Sequence, residues 1–557
     1  MMKNTILLFF FTICIGNIKV HGQVSERVYL QTDKQLYMAG ELLRLKLYTT
    51  DADGKLMDFS KIGYIELIRD SIPEAQIKIA IQDGIGTGWM ELPTMLPTGY
   101  YRIIAYTRYM RNESEIVFFE KTITIVNSYR GQSSLNPEET NTSFSFKTIE
   151  KSINAPDISV DKPFYTKRNK GEIHIKGLPA ENIFLGISIA GIDPFSWEVN
   201  PTIYEWKNQL STNNTPFVDI HFLPEYEGAI IDGILIDLET KNPVFDPNVI
   251  NLLSFPGKEI RLFAGQTNEN GNVAFYTQCI TGKHELATTA IASLDKRYSI
   301  VIQTPYALHT PANLPLFIPD STWIDYLRLR YLSVQVDHTY IADSLSIIKE
   351  VNSCVDLIAD VRYELDEYTR FANMEEVFIE FIPFARIRRT NEGRKFSIVN
   401  ERRDSYGVNT LVLFDNIPVT DHELMSAYNP LLIKTINLHF GNYIFGGHLF
   451  DGIISFHSYN NNYPGMTFSE STHIYDYEGI QPYRYLYTPN YDGTNISSPL
   501  PDFRHTLLWE PSIQSKGQNE LTIPFTTSDI PGSYLISVEG IGENGTIIHV
   551  NHIIEVE

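Results

Sequence analysis

Hydrophobic and polar residues alternate with a period of two over much of the chain, as expected of strands with one buried face. In VYLQTDKQLYMAGELLRLKLYTTDADG the alternation runs on both sides of a turn at Gly40, and Asp53-Gly54 closes a hairpin. LPTGYYRIIAYTRYMR then places the turn Pro97-Thr98-Gly99 before a long alternating strand, and FFEKTITIV follows. Short strands with turns at this spacing predict a β-sandwich over residues 23–127. The polar stretch 128–154, rich in Ser, Asn and Thr, reads as a linker.

Beyond it the pattern repeats. Asp161-Lys162-Pro163-Phe164-Tyr165 followed by Lys170-Gly171-Glu172-Ile173 echoes Asp33-Lys34-Gln35-Leu36-Tyr37 followed by Ala39-Gly40-Glu41-Leu42. The echo predicts a second sandwich of the same type over 155–224, with Gly40 and Gly171 in equivalent turns of positive φ. Strands separated by Lys241-Asn242-Pro243 and Asn270-Gly271 predict a further β-domain over 225–308.

The period changes once. Leu345, Ile348, Val351, Val355, Ile358, Val361 and Leu365 recur at steps of three and four, predicting a helical connector within 309–372. Residues 373–459 then mix short helical and strand-like pieces. The apolar run Leu411-Val412-Leu413-Phe414 ends at the turn Asp415-Asn416-Ile417-Pro418, and Asn429-Pro430 stops a short helix. A strand and the breakers Gly441, Gly446 and Gly447 follow. Residues 460–501 form a tyrosine-rich linker containing Tyr463, Tyr475, Tyr477, Tyr483, Tyr485, Tyr487 and Tyr491. Residues 502–557 return to strands, where IPGSYLISVEG echoes LPTGYYRIIAYT. This last segment is too short for a complete seven-stranded sandwich, so it is expected to borrow strands from earlier segments. The fold class predicted is mainly β: tandem sandwiches, a small α+β unit and a helical connector.

Composition narrows the function. The chain has 557 residues and a formal charge of −22, which repels phosphate backbones and argues against nucleic-acid binding. Residues 1–22 read as a secretory signal peptide: Lys3 is followed by an apolar core too short to span a bilayer, then the exit Val20-His21-Gly22. Loss of Lys3 and Lys19 takes the charge from −22 to −24. No later apolar run suffices for a transmembrane helix. Cys279 and Cys354 remain after cleavage. They are read either as a disulfide or, because they fall in different predicted domains, as two buried thiols.

Three stretches resemble known families. DKQLYMAGELL and LPTGYYRIIAYTRYMRN resemble the macroglobulin-type sandwich of the alpha-macroglobulin superfamily, in the form found in large exported proteins of the Bacteroidota. The Gly-Cys-Gly-Glu-Gln motif of protease-trapping members is absent, so the resemblance implies no thioester chemistry. EYEGAIIDGILIDLETKNPV with TNENGNVAF resembles the carboxypeptidase-regulatory-like β-domain, which is non-catalytic. LVLFDNIPV, the following helix, and Gly441, Gly447 and Gly452 resemble the plug domain of TonB-dependent receptors. Asn416 stands where that family has Gly. The barrel strands that follow a plug in those receptors are missing from the residues after Tyr459, so a plug-like module without its own pore is expected.

Nothing in the chain names a reaction. Gly-x-Ser-x-Gly, His-Glu-x-x-His and Gly-x-x-x-x-Gly-Lys-Ser/Thr patterns are absent. His439 and His457 lack the carboxylate partners of a metal site, and no cofactor is implied. Asp53-Gly54 reads as a turn, and Asp415 and Asp451 as turn-fixing residues. The expectation is a non-enzymatic binding or scaffold protein, exported to the periplasm or associated with the outer membrane, with envelope proteins as partners. Tyr428, Tyr443, Phe445 and Phe450, beside glycine turns, are the candidate partner-binding residues. The alternative is an adhesin that binds glycans or peptides through the tyrosine-rich segment; the same rings would serve equally well as packing.

Overall fold

The computed structural model describes residues 25–128, 156–193, 200–210, 220–257, 259–278, 280–292, 297–312, 314, 317, 321–336, 347–349, 357–391, 393–400, 405–485, 489, 491 and 499–557. The expected signal peptide, Cys279 and Cys354 lie outside these residues. The architecture is mainly β with few helices, built of tandem sandwiches.

The first sandwich has eight strands: β1 (Arg27–Thr32), β2 (Leu36–Met38), β3 (Leu42–Thr50), β4 (Ile62–Arg69), β5 (Ile72–Gln82), β6 (Ile85–Glu91), β7 (Gly99–Thr107) and β8 (Phe119–Val126). Their order is β1-β3-β6-β5-β4-β7-β8-β2. The sheet folds over at β5 and β6, which share only the pairs Ile81–Gly86 and Gln82–Ile85. The alternating residues Leu43, Leu45, Leu47, Ile65, Leu67, Ile103 and Ile123 are buried in the core between the halves.

A second sandwich begins with β9 (Asp157–Val160), β10 (Lys170–Lys176) and β11 (Ile183–Gly191). The chain then leaves it. Helix α1 (Ile203–Leu210) opens with a reciprocal cap: the Thr202 hydroxyl accepts from Glu205 N–H, and Glu205 accepts from Thr202 N–H. Trp206 of α1 packs into the first sandwich. A middle sandwich follows: β12 (Ile230–Asp237), β13 (Ile250–Phe255), β14 (Arg261–Gly265), β15 (Asn272–Tyr276), β16 (Lys283–Ile291) and β17 (Tyr298–Ile302).

Next come helix α2 (Ile324–Val336) and β18 (Ile347–Lys349), then an α+β unit. Its elements are β19 (Val361–Glu364), α3 (Met374–Phe381), β20 (Ala385–Thr390), β21 (Gly393–Asn400), β22 (Ser405–Tyr406), β23 (Leu411–Phe414), β24 (Ile417–Pro418), α4 (His422–Ala427), β25 (Ile433–His439), β26 (Tyr443–Phe445), β27 (His448–Phe450) and β28 (Ile453–Ser458). Its main sheet runs β19-β25-β28-β23-β24, with β23 and β28 parallel. Asp415 (φ 46°) and Asn416 (φ 71°) both occupy the left-handed region, as a two-residue turn between β23 and β24 demands. The chain closes with β29 (Thr472–Glu478), β30 (Tyr483–Tyr485), β31 (Thr506–Gln514), β32 (Glu520–Thr526), β33 (Gly532–Gly542) and β34 (Ile547–Val556).

Four features depart from the sequence expectations. The segment 155–224 is not a sandwich by itself; it supplies the strands that 502–557 was expected to borrow. β9–β11 and β31–β34 form one sandwich with sheets β32-β10-β9 and β31-β11-β33-β34. Its strand order matches β6-β3-β1 and β5-β4-β7-β8 of the first sandwich. Where the first sandwich turns from β4 to β5 through Asp70-Ser71, the second carries residues 192–504 as an insertion. The ends of that insertion meet, because Gly191 N–H donates to His505 O at 2.9 Å.

The tyrosine-rich stretch is not simply a linker either. β29 adds to the middle sandwich in the order β14-β13-β16-β29, and β30 pairs with β18. Of the residues whose spacing predicts a helix, Leu345, Val351 and Val355 lie outside the described residues; among the described residues the α-helix of this connector is Ile324–Val336. Ile348 and Val361 instead lie on strands, Ile358 is exposed and Leu365 is buried in a short 3₁₀ turn. β-branched residues are at home on strands, and the open edge of β25 recruits β19.

Finally, Gly40 and Gly171 are not equivalent. Gly40 has φ 89°, whereas Gly171 lies inside β10 without positive φ. The repeat has a constant offset in which Arg168 (φ 53°) matches Gly40. Gly171 is required by packing: a Cβ there would stand 2.5 Å from the Phe525 ring and 2.6 Å from that of Tyr165.

Candidate functional site

A cleft of about 490 Å³ opens where the first sandwich, the middle sandwich and β29 meet. Three chain segments distant in sequence build it. From the first sandwich come Tyr64 and the β5 residues Pro73, Glu74, Gln76 and Lys78. From the middle sandwich come Asp232 and the strap Gln303-Thr304-Pro305-Tyr306, and from β29 Tyr475, Asp476, Tyr477 and Glu478.

The aromatic floor is held from behind. Tyr64 is buried, stacks on Tyr106 with 5.7 Å between centroids, and takes the edge of Tyr306 at the same distance. Its hydroxyl donates to Glu225 Oε1 at 2.9 Å, and Ile230 N–H donates to the same oxygen. Burial raises the Glu225 carboxyl to about 7, against the opposing pull of these hydrogen bonds, Arg108 and Lys78. Glu225 lies behind the floor, so it supports Tyr64 without facing the cleft.

Lys78 is the cation of the cleft. Its ammonium donates to Glu478 O at 2.7 Å and lies 4.3 Å from the Tyr477 ring centroid. Burial lowers it to about 8, opposed by Glu225 and Glu478. Asp232 is claimed by Arg108, whose Nη2 reaches its two carboxylate oxygens at 2.9 and 2.8 Å. The carboxylates of Asp476 and Glu478 are exposed.

The strap is fastened to the first sandwich. Arg111 Nη1 donates to Pro305 O at 2.7 Å, and Ala307 N–H to the Tyr106 hydroxyl at 2.7 Å. His309 contacts Glu66 through Nε2 and Glu115 through Nδ1, both at 2.8 Å. Burial alone would lower the His309 pKa, but these two carboxylates outweigh it and raise it. Such an arrangement offers aromatic faces, exposed carboxylates and a shielded ammonium to a ligand.

The four residues singled out from the sequence do not gather into an exposed site. Phe450 is buried and packs 6.0 Å from Phe445. Tyr428 is half-buried; its ring meets Phe414 edge-on at 4.9 Å and its hydroxyl donates to Pro464 O. Tyr443 and Phe445 are half-buried against the apolar cluster that joins the α+β unit to β13. Tyr443, Phe445 and Phe450 lie inward because they fill the seam between units, and Tyr428 because it packs on the core of the α+β unit. The exposed apolar positions of that hairpin are Ile444 and Leu449. Asp415 and Asp451 hold loops: Asp415 accepts from Ser458 N–H and Tyr463 N–H, and Asp451 from Val408 and Asn409 N–H.

His439 and His457 lie on the adjacent strands β25 and β28 but are not cross-strand partners. Among the described residues no group of three His, Cys, Asp or Glu is placed to hold a metal, and no helix is long and apolar enough to cross a membrane. The sequence singled out Tyr475 and Tyr477 of the cleft but missed Tyr64, Lys78 and Tyr306. Those residues sit in ordinary strand or loop patterns, and only tertiary packing brings them together.

No family model and no curated protein matches the chain. Among solved structures, Escherichia coli alpha-2-macroglobulin activated by porcine elastase is similar over 96% of this chain and 44% of its own, at 10% identity and a TM-score of 0.25. Salmonella alpha-2-macroglobulin reacted with methylamine is similar over 96% of this chain and 39% of its own, at 9% identity and a TM-score of 0.24. The Escherichia coli adhesin FdeC is similar over 50% of this chain and 65% of its own, at 11% identity and a TM-score of 0.16. The chain thus spans less than half the length of these macroglobulins, and superposition at this level assigns neither fold nor function.

Proposed function

We propose that this chain is an exported, non-enzymatic binding or scaffold protein of the cell envelope, associated with outer-membrane proteins of the Bacteroidota. In this reading the two sandwiches are of the macroglobulin type and the middle sandwich is a carboxypeptidase-regulatory-like domain. The α+β unit is a TonB-receptor plug fold without its barrel. The observation that carries the binding role is the cleft at the meeting of three chain segments, with tyrosine faces and carboxylates and its walls tied by Arg108–Asp232 and Lys78–Glu478.

A second reading, an adhesin that binds glycans or peptides, is favoured by Tyr475 and Tyr477 lining that cleft. Crosslinking in intact cells followed by mass spectrometry separates the two. A scaffold yields crosslinks to outer-membrane proteins, and an adhesin yields crosslinks to added external ligands. Turnover in a broad hydrolase screen would overturn both.

A further inference from the structure

The cleft is walled on one side by a strand edge that the fold leaves open. β5 pairs with β4 along its length, but on its other side it meets β6 only at Ile81 and Gln82. The carbonyl of Lys78 points away from β4, where it accepts from Gln481 N–H at 2.7 Å. By the two-residue period of a strand, Gln76 also directs its N–H and C=O outward. Glu74 is the extra residue of a bulge between the pairs Leu67–Ala75 and Ile68–Pro73. Among the described residues no backbone group pairs with the outward side of Glu74 or Gln76.

The chain itself begins to fill this edge and then stops. Beyond its bond to Lys78, Gln481 uses its side-chain amide on β6, accepting from Trp89 N–H at 2.9 Å and donating to Trp89 O at 2.6 Å. One residue thus occupies the gap between β5 and β6 as a strand would, and the edge past it stays open into the cleft. Glu74, Asp476 and Glu478 line that space, while Lys78 is covered and Asp232 is neutralised by Arg108.

We propose that an extended basic peptide segment docks in this cleft as an added strand on the outer edge of β5. Its backbone pairs with Gln76, its lysine or arginine side chains face Glu74, Asp476 and Glu478, and its apolar side chains rest on Tyr306 and Tyr477. Pro73, which has no N–H, ends the pairing at the far side. The inference rests on the binding-protein reading and adds to it the chemical class of the ligand.

The test uses the full mature chain and a fluorescent eight-residue peptide alternating lysine with valine. Two control peptides carry glutamate in place of lysine, or proline at every second position. The expected result is binding by anisotropy, at least tenfold weaker binding of both controls, and slower amide exchange at Gln76 on adding the lysine peptide. The pair Glu74→Lys and Asp476→Lys is expected to weaken binding roughly five- to tenfold, as loss of partly exposed ion pairs does. Equal affinity for the proline peptide, unchanged exchange at Gln76, or affinity indifferent to the charge reversals overturns the proposal. Absence of any peptide binding also overturns it. The binding or scaffold reading fails separately, if the in-cell crosslinks find neither outer-membrane proteins nor external ligands.

Discussion

Asp33 and Asp161 perform one structural task in two surroundings. Each accepts a tyrosine hydroxyl four residues on, from Tyr37 and Tyr165 respectively, both at 2.7 Å. Each also accepts the backbone N–H eleven residues on, from Arg44 and Glu172. Asp33 is fully buried; burial pushes its carboxyl up, but Lys34 and Arg44 outweigh this and hold it at about 2. Asp161 is partly exposed. Asp33→Ala is therefore expected to cost roughly 3 kcal/mol in urea unfolding, since it removes the buried acceptor of the Arg44 guanidinium and the Tyr37 hydroxyl, while Lys34 keeps Glu41 at 2.6 Å. Asp161→Ala is expected to cost about 1 kcal/mol, the net worth of its hydrogen bonds. Lys46 shows the opposite sign. Its ammonium is buried between the sandwiches with no hydrogen-bond acceptor, and desolvation lowers its pKa well below normal against a weaker pull from Glu539. Lys46→Met should raise stability by about 1–2 kcal/mol; a fall would mean that its contact with the Tyr48 ring outweighs the desolvation.

Glu225 gives a pH dependence whose sign is fixed. Its carboxyl binds a proton more tightly folded (about 7) than unfolded (4.5), so the folded state holds more protons between those values. Stability from this group is full below pH 4.5 and declines as pH rises to about 7, by up to roughly 3 kcal/mol. Melting curves of wild type and Glu225→Gln from pH 5 to 8 should show a smaller decline in the variant. Parallel curves would exclude this role.

At the scale of elements, the two sandwiches share a fastening of their final strands. Tyr37 lies opposite Ile125 in a parallel pair, and Tyr165 lies likewise opposite Val556. Tyr101 donates to Pro97 O and Tyr534 to Ile530 O, each closing a corner over four residues. The glycines differ in kind. Gly40→Val would force a β-branched residue to φ 89°, while Gly171→Val would drive methyl groups into two rings. Each is expected to cost roughly 2–3 kcal/mol. Adding Phe525→Ala should recover part of the Gly171→Val loss and none of the Gly40→Val loss, as a double-mutant cycle would show.

At the scale of the molecule, the insertion of residues 192–504 leaves and re-enters at a hairpin tip, where added chain strains neither strand. Its base is bolted to the first sandwich. Arg330 of α2 contacts Glu41 at 3.2 Å and Asp193 at 3.8 Å, and Tyr326 donates to Asp193. Thr506 bridges Lys34 and Asp33. Joining Gly191 to His505 through a short turn should give a chain, residues 156–191 and 505–557, that folds alone as a seven-stranded sandwich. A cooperative melt with a β circular-dichroism spectrum checks this; an unfolded chain would show that the sandwich depends on its insertion.

Much of this was legible in local pattern. Period-two runs marked strands such as β33, whose one buried face writes itself into alternate residues, whereas β3 and β7 are covered on both faces over most of their length. Asp33-x-x-x-Tyr37, Asp161-x-x-x-Tyr165 and the two proline- or isoleucine-led tyrosine corners revealed the repeat because each motif closes within a few residues. What the sequence left undecided depends on partners far along the chain. Nothing local says that β11 pairs with β31 across the insertion, that β29 leaves its neighbours for β16, or that Arg168 takes the left-handed turn in place of a glycine. The inward packing of Tyr428, Tyr443, Phe445 and Phe450 and the convergence of Tyr64, Lys78, Tyr306 and Tyr477 have the same origin. Alternation determines which face of a strand is buried, but only tertiary structure decides what covers that face and which edges stay open.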